Sequence, residues 1–287
     1  KLSTNLWNLI PDEYKKLRTI KTIEWNADPT DKGLQQLVED FVSRDELRPN
    51  MMGANFDGNG IVATNAHKLI FLNKIRPKKK GIYCLTKFCF KALGKEGQEE
   101  AIIQGKFPDY AAILPKDVNI THTVNTDKLL LFCNTLLKVG MTSKQEHKGI
   151  LRYDGEQYIG INLSNLLSSA ETFARLGYSQ VDLGFIRYNK PILIAPHGRI
   201  NDIASLTTAF ILLMPIVPDD YHIDKTNDYQ PDRGDIFLDL ESQNVLTYGI
   251  QQIQENNTEK IMGSFGKVNT LALLTGDEWF KQHPEKI

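Results

Sequence analysis

Cysteine is scarce in this chain: Cys84, Cys89 and Cys133 are the only three among 287 residues. No two of them form a Cys-x-x-Cys pair, so neither a zinc site nor a disulfide framework is indicated. Each is expected to be a buried free thiol. Long apolar runs are absent too. Nothing approaches the length of a bilayer span, and Lys1 to Arg18 has no continuous apolar core of the kind that secretory signals carry. The chain is therefore expected to be soluble and cytoplasmic, with no membrane partner. Enzyme motifs are also missing: there is no Walker loop, no Gly-x-Ser-x-Gly and no His-Glu-x-x-His. No catalytic residue, metal or cofactor is assigned.

What is present is an ordinary globular composition, 41% hydrophobic and 24% charged, long for one domain and comfortable for two. The formal net charge of −1 hides an asymmetry. Residues 1–217 carry 28 Lys+Arg against 22 Asp+Glu, whereas 218–287 carry 6 against 13. The basic extreme is Lys74 to Lys95, with eight cations and no acid. Such a stretch is either a solvated face or a surface that holds phosphates without reading sequence. In the acidic tail, Asp219, Asp220, Asp224, Asp228, Asp232, Asp235 and Asp239 invite a metal-site reading. The glycine and closing glutamate of a calcium loop are missing, which favours an acidic linker.

Periodicity gives an α+β chain. A lead-in, 1–18, carries Leu6, Trp7, Leu9 and Ile10. A strand over Thr19 to Asn26 is followed by a helix that Thr30 is expected to cap, with Leu34, Leu37, Val38, Phe41 and Val42 on one stripe. Three short strands follow, Met51 to Phe56, Ile61 to Thr64 and Lys68 to Leu72, the first two joined by Asp57-Gly58-Asn59-Gly60, a turn expected to use positive-φ glycine. A strand at Gly81 to Leu85 leads into a helix from Thr86 to Leu93, ended by Gly94, with Lys87, Lys91 and Lys95 on its outer face. A strand near Glu100 to Gln104 precedes a boundary at Pro115-Lys116-Asp117. The order then repeats: strand Ile120 to Val124, helix Thr126 to Val139, strands Gly149 to Tyr153 and Gln157 to Ile161, helix Asn162 to Leu176, and strands at Val181 to Tyr188, Pro191 to Ala195 and Leu206 to Ile216. Beyond Pro218 a hairpin is expected at Ile236 to Leu240 and Val245 to Ile250, and a short helix at Leu271 to Phe280. The expected domains are 19–116 and 117–217, with 218–287 either an added module or a reduced third domain.

Three segments in order carry a resemblance. Ala63-Thr64-Asn65-Ala66-His67-Lys68-Leu69 resembles the "ATDGHRL" strand turn in the middle domain of the bacterial DNA polymerase III β subunit, the sliding clamp, and Val42 to Pro49 resembles the "VSxDETRP" before it. Lys106-Phe107-Pro108-Asp109-Tyr110-Ala111-Ala112-Ile113-Leu114-Pro115 resembles "RFPDYRxVLP", and Phe210 to Ile216 resembles "YVVMPM". The resemblance implies a DNA-clamp fold, in which each repeated domain lays two helices on a curved antiparallel sheet, helices toward DNA and sheets outward. It implies a processivity factor, not an enzyme, that encircles double-stranded DNA without sequence specificity in a bacterial or phage-infected cell. Rings of this family contain six such domains, so two per chain imply a homotrimer and three a homodimer.

The resemblance also implies a groove for short linear peptides of DNA polymerase and the clamp loader. Its wall would be Thr64, His67, Lys68 and Leu69, with Pro108 and Ile113, and Leu212 and Met214. Leu, Ile, Pro and Met make an adaptable apolar trough, and His67 and Lys68 offer polar handles at its rim. The plainer reading is core strands and a surface histidine. Ala66 stands where the family has glycine, which strains a positive-φ turn, and Lys68 where it has arginine, which loses the forked hydrogen bonds. The DNA-facing cations would be Lys87, Lys91, Lys95, Lys128, Lys138 and Arg175. The alternative function is a clamp-derived interaction module that keeps the groove and encircles nothing. His197-Gly198-Arg199 falls in a hairpin turn and receives no role.

Overall fold

The computed structural model describes residues 12, 14–73, 79–115, 117–138, 148–155, 157–216, 231 and 236–247. Most of the apolar lead-in, Lys74 to Lys78 of the basic run, and the helix expected at Leu271 to Phe280 lie outside these residues. The elements are α1 (Lys32–Val38), β1 (Ala54–Phe56), β2 (Ile61–Thr64), β3 (Lys68–Leu72), β4 (Gly81–Tyr83), α2 (Lys87–Ala92), β5 (Ile102–Ile103), β6 (Ile120–Asn125), α3 (Thr126–Lys138), β7 (Lys148–Asp154), β8 (Gln157–Asn162), α4 (Leu163–Arg175), β9 (Gln180–Phe185), β10 (Ile192–Pro196), β11 (Phe210–Leu213), β12 (Ile236–Asp239) and β13 (Asn244–Thr247).

Nine strands form one antiparallel sheet in the order β5-β4-β1-β2-β3-β11-β10-β9-β6. The two halves of the chain meet where β11 pairs with β3, Leu212 opposite Leu69 and Leu213 opposite Lys68. Side chains on a strand alternate between faces, and the two cores obey that rule. Ile61, Ala63, Ile70, Leu72, Ile211 and Leu213 enter the core that α1, α3 and α4 cover. Val62, Leu69, Phe71, Phe210 and Leu212 enter a second core on the other face. Segments around 101–118 and 200–206 close that second face through Phe107, Tyr110, Ile200 and Ile203. A smaller sheet, β13-β12-β7-β8, joins 236–247 to the body, with β12 parallel to β7.

The long helices follow their apolar stripes. Leu129, Leu130, Cys133 and Leu136 of α3 are buried, as are Leu163, Leu166, Ala170 and Phe173 of α4. Asn162 caps α4 by accepting from Asn165 N at 3.0 Å, and Gly177 ends it at φ +85°. The hairpin expected near 236–250 is present as β12 and β13.

Several expectations need correction. Asp31, not Thr30, caps α1: its carboxylate accepts from Leu34 N at 2.8 Å, while Thr30 bonds back to Asp28. A charged acceptor at this position also suits the positive helix end. Thr19 to Asn26 forms no strand. It is largely exposed and lies against helix ends, with Ile23 N donating to Arg175 O at 2.8 Å. Neither Gly58 nor Gly60 has a positive φ. The Asp57 side chain closes that turn instead, accepting from Asn59 N and Gly60 N at 2.7 and 3.1 Å. Gly60 is required by space, since a Cβ there would strike Leu72 O. Cys84 and Cys89 are joined as a disulfide with Cα atoms 5.6 Å apart, because the start of α2 brings Cys89 back over the end of β4. Cys133 alone is a free, buried thiol, pushed up in pKa by that burial. Finally, α2 sends its buried Cys89 into the second core, while Lys87, Phe88 and Phe90 line a hollow together with Lys32, Gln35 and Glu39 at α1.

Candidate functional site

The turn from Thr64 to Leu69 is tightly determined. Asn65 Oδ1 accepts from His67 N and Lys68 N, both at 3.0 Å. Thr64 Oγ1 accepts from Ala66 N at 3.1 Å and donates to Lys68 O at 2.9 Å. Thr64 is therefore a buried turn-former with its hydroxyl in use. Ala66 sits at φ +74°, the conformation in which a Cβ is unfavourable. The side-chain hydrogen bonds hold the strained residue in place.

Lys68 is not at a rim. Its position on β3 shares a face with Ile70 and Leu72, so the side chain enters the helix layer and is 6% exposed. Its Nζ donates to Ser168 Oγ at 2.6 Å and lies 5.0 Å from the centre of the Phe41 ring. Burial pushes its pKa down, with Asp40 and Glu171 pulling the other way.

Leu69 and Leu212, register partners, point to the opposite face and are buried in the second core. Phe107 and Tyr110 of the Phe-Pro-Asp-Tyr segment join them, so that segment packs over the same face. Tyr110 is anchored by donating to Asp57 Oδ2 at 2.8 Å, and its pKa is pushed up to about 12, chiefly by burial. Pro108 is exposed, Ile113 is 51% exposed and Met214 is 42% exposed. Met214 N donates to His67 O at 2.9 Å, so the exposed methionine and the exposed histidine leave the sheet side by side. The structure thus brings Leu69 and Leu212 together within the second core and leaves His67, Pro108, Ile113 and Met214 at the surface. His67 also lines a separate polar hollow of about 530 Å³ with Arg44, Arg48 and Asn65.

The six cations divide. Lys128 and Lys138 are exposed on α3, in the layer over the first core. Arg175 at the end of α4 is half-buried, 3.8 Å from Glu171 and donating to Gln36 O. Lys87 and Lys91 are exposed on α2, with Lys87 lining a hollow beside α1. Lys95 turns back and donates to Ile102 O at 2.7 Å. No single helical face carries all six.

One arrangement escapes any reading of sequence spacing. Asp182 on β9 is buried beside Thr123 of β6 and His197 beyond β10, three residues brought together only by strand pairing. Among the described residues no group of His, Cys, Asp and Glu has the arrangement of a metal site, and no helix is long and apolar enough to cross a membrane.

No family model matches the chain, and no curated protein matches it. Solved structures do. DNA polymerase III subunit beta from Pseudomonas aeruginosa aligns at a TM-score of 0.50 and 16% identity, over 70% of this chain and 68% of that one. The beta chain from Streptococcus pneumoniae aligns at 0.50 and 16%, over 71% and 67%. That from Borrelia burgdorferi aligns at 0.50 and 14%, over 65% and 61%. The similarity is one of fold, and it spans about two thirds of those proteins.

Proposed function

We propose that this chain, which has the DNA-clamp fold of the bacterial DNA polymerase III β subunit in divergent and shortened form, is a processivity factor that encircles duplex DNA and tethers replication enzymes to it. What carries the reading is the joint at β3 and β11. There the two sequence segments that resemble the family's peptide groove become adjacent strands, with Leu69 opposite Leu212 and Met214 beside His67. In this reading the groove uses only some of the residues that the resemblance implies. Leu69 and Leu212 form its floor, Pro108, Ile113 and Met214 its apolar rim, and His67 its polar handle. Lys68 and Thr64 support it from behind. An amphipathic peptide with one or two large apolar side chains suits such a trough.

Duplex DNA would be held by unspecific phosphate contacts from Lys128, Lys138 and neighbouring cations, which permits sliding. Units at 19–116 and 117–217 give two clamp-like domains, and a six-domain ring then needs three chains. If the strands of 236–247 belong to a reduced third domain, two chains suffice. The chain works in the cytoplasm of a bacterial or phage-infected cell, served by a polymerase and a clamp loader. Light scattering at micromolar concentration, with and without duplex DNA, tests the ring. A trimer or dimer is expected, and a monomer under both conditions overturns it.

A second reading is favoured by one observation, the engagement of two of the six cations within the chain: Arg175 lies 3.8 Å from Glu171 and donates to Gln36 O, and Lys95 donates to Ile102 O, which withdraws both from a common cationic surface. In that reading the chain is a peptide-binding module that encircles nothing. It predicts binding of a Gln-and-Leu-rich clamp-binding peptide, lost on His67→Ala with Met214→Ala, without topological retention on DNA.

A further inference from the structure

A hollow of about 530 Å³ opens at the rim of the nine-stranded sheet, where β3 and β10 end and β9 and β11 begin. His197 and Arg199, just past β10, stand in its wall with Tyr178 and Ser179, just ahead of β9. Among the described residues no carboxylate lines it, so its formal charge is set by a guanidinium and an imidazole.

The imidazole is held in one orientation. Asp182 is 4% exposed, and both its oxygens are engaged. Oδ1 accepts from Thr123 Oγ1 at 2.8 Å and lies 2.9 Å from His197 Nδ1, while Oδ2 accepts from Gly198 N at 2.7 Å. Gly198 reaches that position at φ +76°. A carboxylate opposite Nδ1 keeps the proton on that nitrogen. Nε2 is then the free nitrogen of a ring whose side chain is 56% exposed, and it has no partner among the described residues. The Gly198 bond would suffice to close the turn. The bond to His197 does something more, since it presents a fixed ring nitrogen at the hollow. Arg199 is tied through Nε to Asp202 at 2.8 Å, which leaves its terminal N–H groups available.

We infer that this hollow binds a phosphate group, taken by His197 Nε2–H in the imidazolium form and by the terminal N–H groups of Arg199, with the Ser179 and Tyr178 hydroxyls as further donors. A phosphate spreads its acceptor oxygens tetrahedrally and so can take donors arriving from separate walls, and the arginine fork suits two of them at once. Asp182 touches no ligand in this arrangement and acts as a positioning residue. Two sources share the chemistry: a free phosphate-bearing small molecule, and the phosphodiester backbone of duplex DNA. The second source rests on the clamp reading given above, and the first does not.

The test follows the ¹⁵N resonances of the His197 ring in the full chain, titrated with inorganic phosphate and, separately, with a short duplex, against sodium chloride at matched ionic strength. The expected result is a saturable shift of Nε2 with phosphate and none with chloride. His197→Ala and Arg199→Ala should each weaken binding about tenfold, the scale of one charge-assisted hydrogen bond. Arg199 is a surface group, so its removal should leave the melting temperature unmoved, whereas His197→Ala also takes one partner from the buried Asp182 carboxylate, which keeps Thr123 and Gly198, and should lower it modestly. Response to duplex alone would identify the backbone as the source. No saturable response to either probe, or unchanged binding in His197→Ala, overturns the site. A chain that forms no ring yet shifts His197 with phosphate would overturn the clamp reading and leave this site standing.

Discussion

Removing either partner of the Arg152–Asp239 pair should weaken the hold of β7 on β12 and β13 and so lower stability. Asp239 is 1% exposed and takes Arg152 in a fork, Nε to Oδ1 at 3.1 Å and Nη2 to Oδ2 at 2.5 Å. Glu241 N and Ser242 Oγ donate to the same carboxylate, and the guanidinium lies over the Phe237 ring. Burial raises the carboxyl pKa, but the hydrogen bonds from Arg152 and Ser242 outweigh it and hold the group below its ordinary 3.8. Arg152→Met strands a buried carboxylate and should cost about 3 kcal/mol. Asp239→Leu strands an arginine whose side chain is 16% exposed and can regain some water, so about 2 kcal/mol is expected. The double variant replaces an ion pair by an apolar contact on Phe237 and should cost only about 2 kcal/mol, giving a coupling of about 3 kcal/mol. Urea unfolding followed by circular dichroism measures all four corners of the cycle, with unchanged slopes as the sign that stability alone has moved. A folded pKa below the unfolded one means that the pair's contribution is complete above pH 3.8 and is lost as pH falls through the lower folded value. A coupling under about 0.5 kcal/mol, within the error of additivity, would refute the reasoning.

Other perturbations test the turn and its supports. Lys68→Met should stabilise the chain by about 1 kcal/mol, since it removes a buried ammonium while Ser168 keeps its bond to Asn165 O. The folded pKa of Lys68 lies below its unfolded 10.5, so native stability should rise relative to Lys68→Met as pH climbs toward 10.5; parallel curves against pH would contradict this. Ala66→Gly should gain about 0.5 kcal/mol, the relief of positive-φ strain less the added chain entropy of glycine. A loss in thermal unfolding would show that Ala66 is unstrained. Tyr110→Phe should cost about 1.5 kcal/mol by removing the bond to Asp57. With the Tyr110 pKa raised to about 12, the native chain should lose stability relative to this variant as pH rises from 10 through 12, and no such loss would refute the burial of the phenol.

The helices that pack the first core were legible because their apolar stripes are long: Leu129 to Leu136 keeps helical spacing over about two turns and Leu163 to Phe173 over nearly three. Lys68 was not. Both faces of β3 are buried, and Lys-Leu-Ile-Phe-Leu offers no polar side from which to read direction. Only the packing of the folded sheet shows that Leu69 enters the second core and Lys68 the first. The packing of α2 was hidden for a similar reason. Its six residues do place Lys87 and Lys91 outward as their spacing requires, but spacing does not show that Cys89 joins the second core or that Lys87 meets α1 across a hollow. Asp182 sits on β9 and His197 in the turn just past β10, with no motif between them, so the only clue was a histidine in a turn. At the turn itself the departure of Ala66 from glycine did predict its strained φ, because the conformation is dictated by the turn and not by the residue that occupies it.

Encirclement of DNA is tested most directly by topology. The chain is loaded on nicked circular plasmid with a clamp loader and ATP, freed of unbound protein by gel filtration, and then divided, one half being linearised by a restriction enzyme. A ring should stay with the circle through washes at salt that strips ordinary phosphate contacts, and should run off the linear form through its free ends. Equal retention on both forms, or none on the circle, would contradict encirclement.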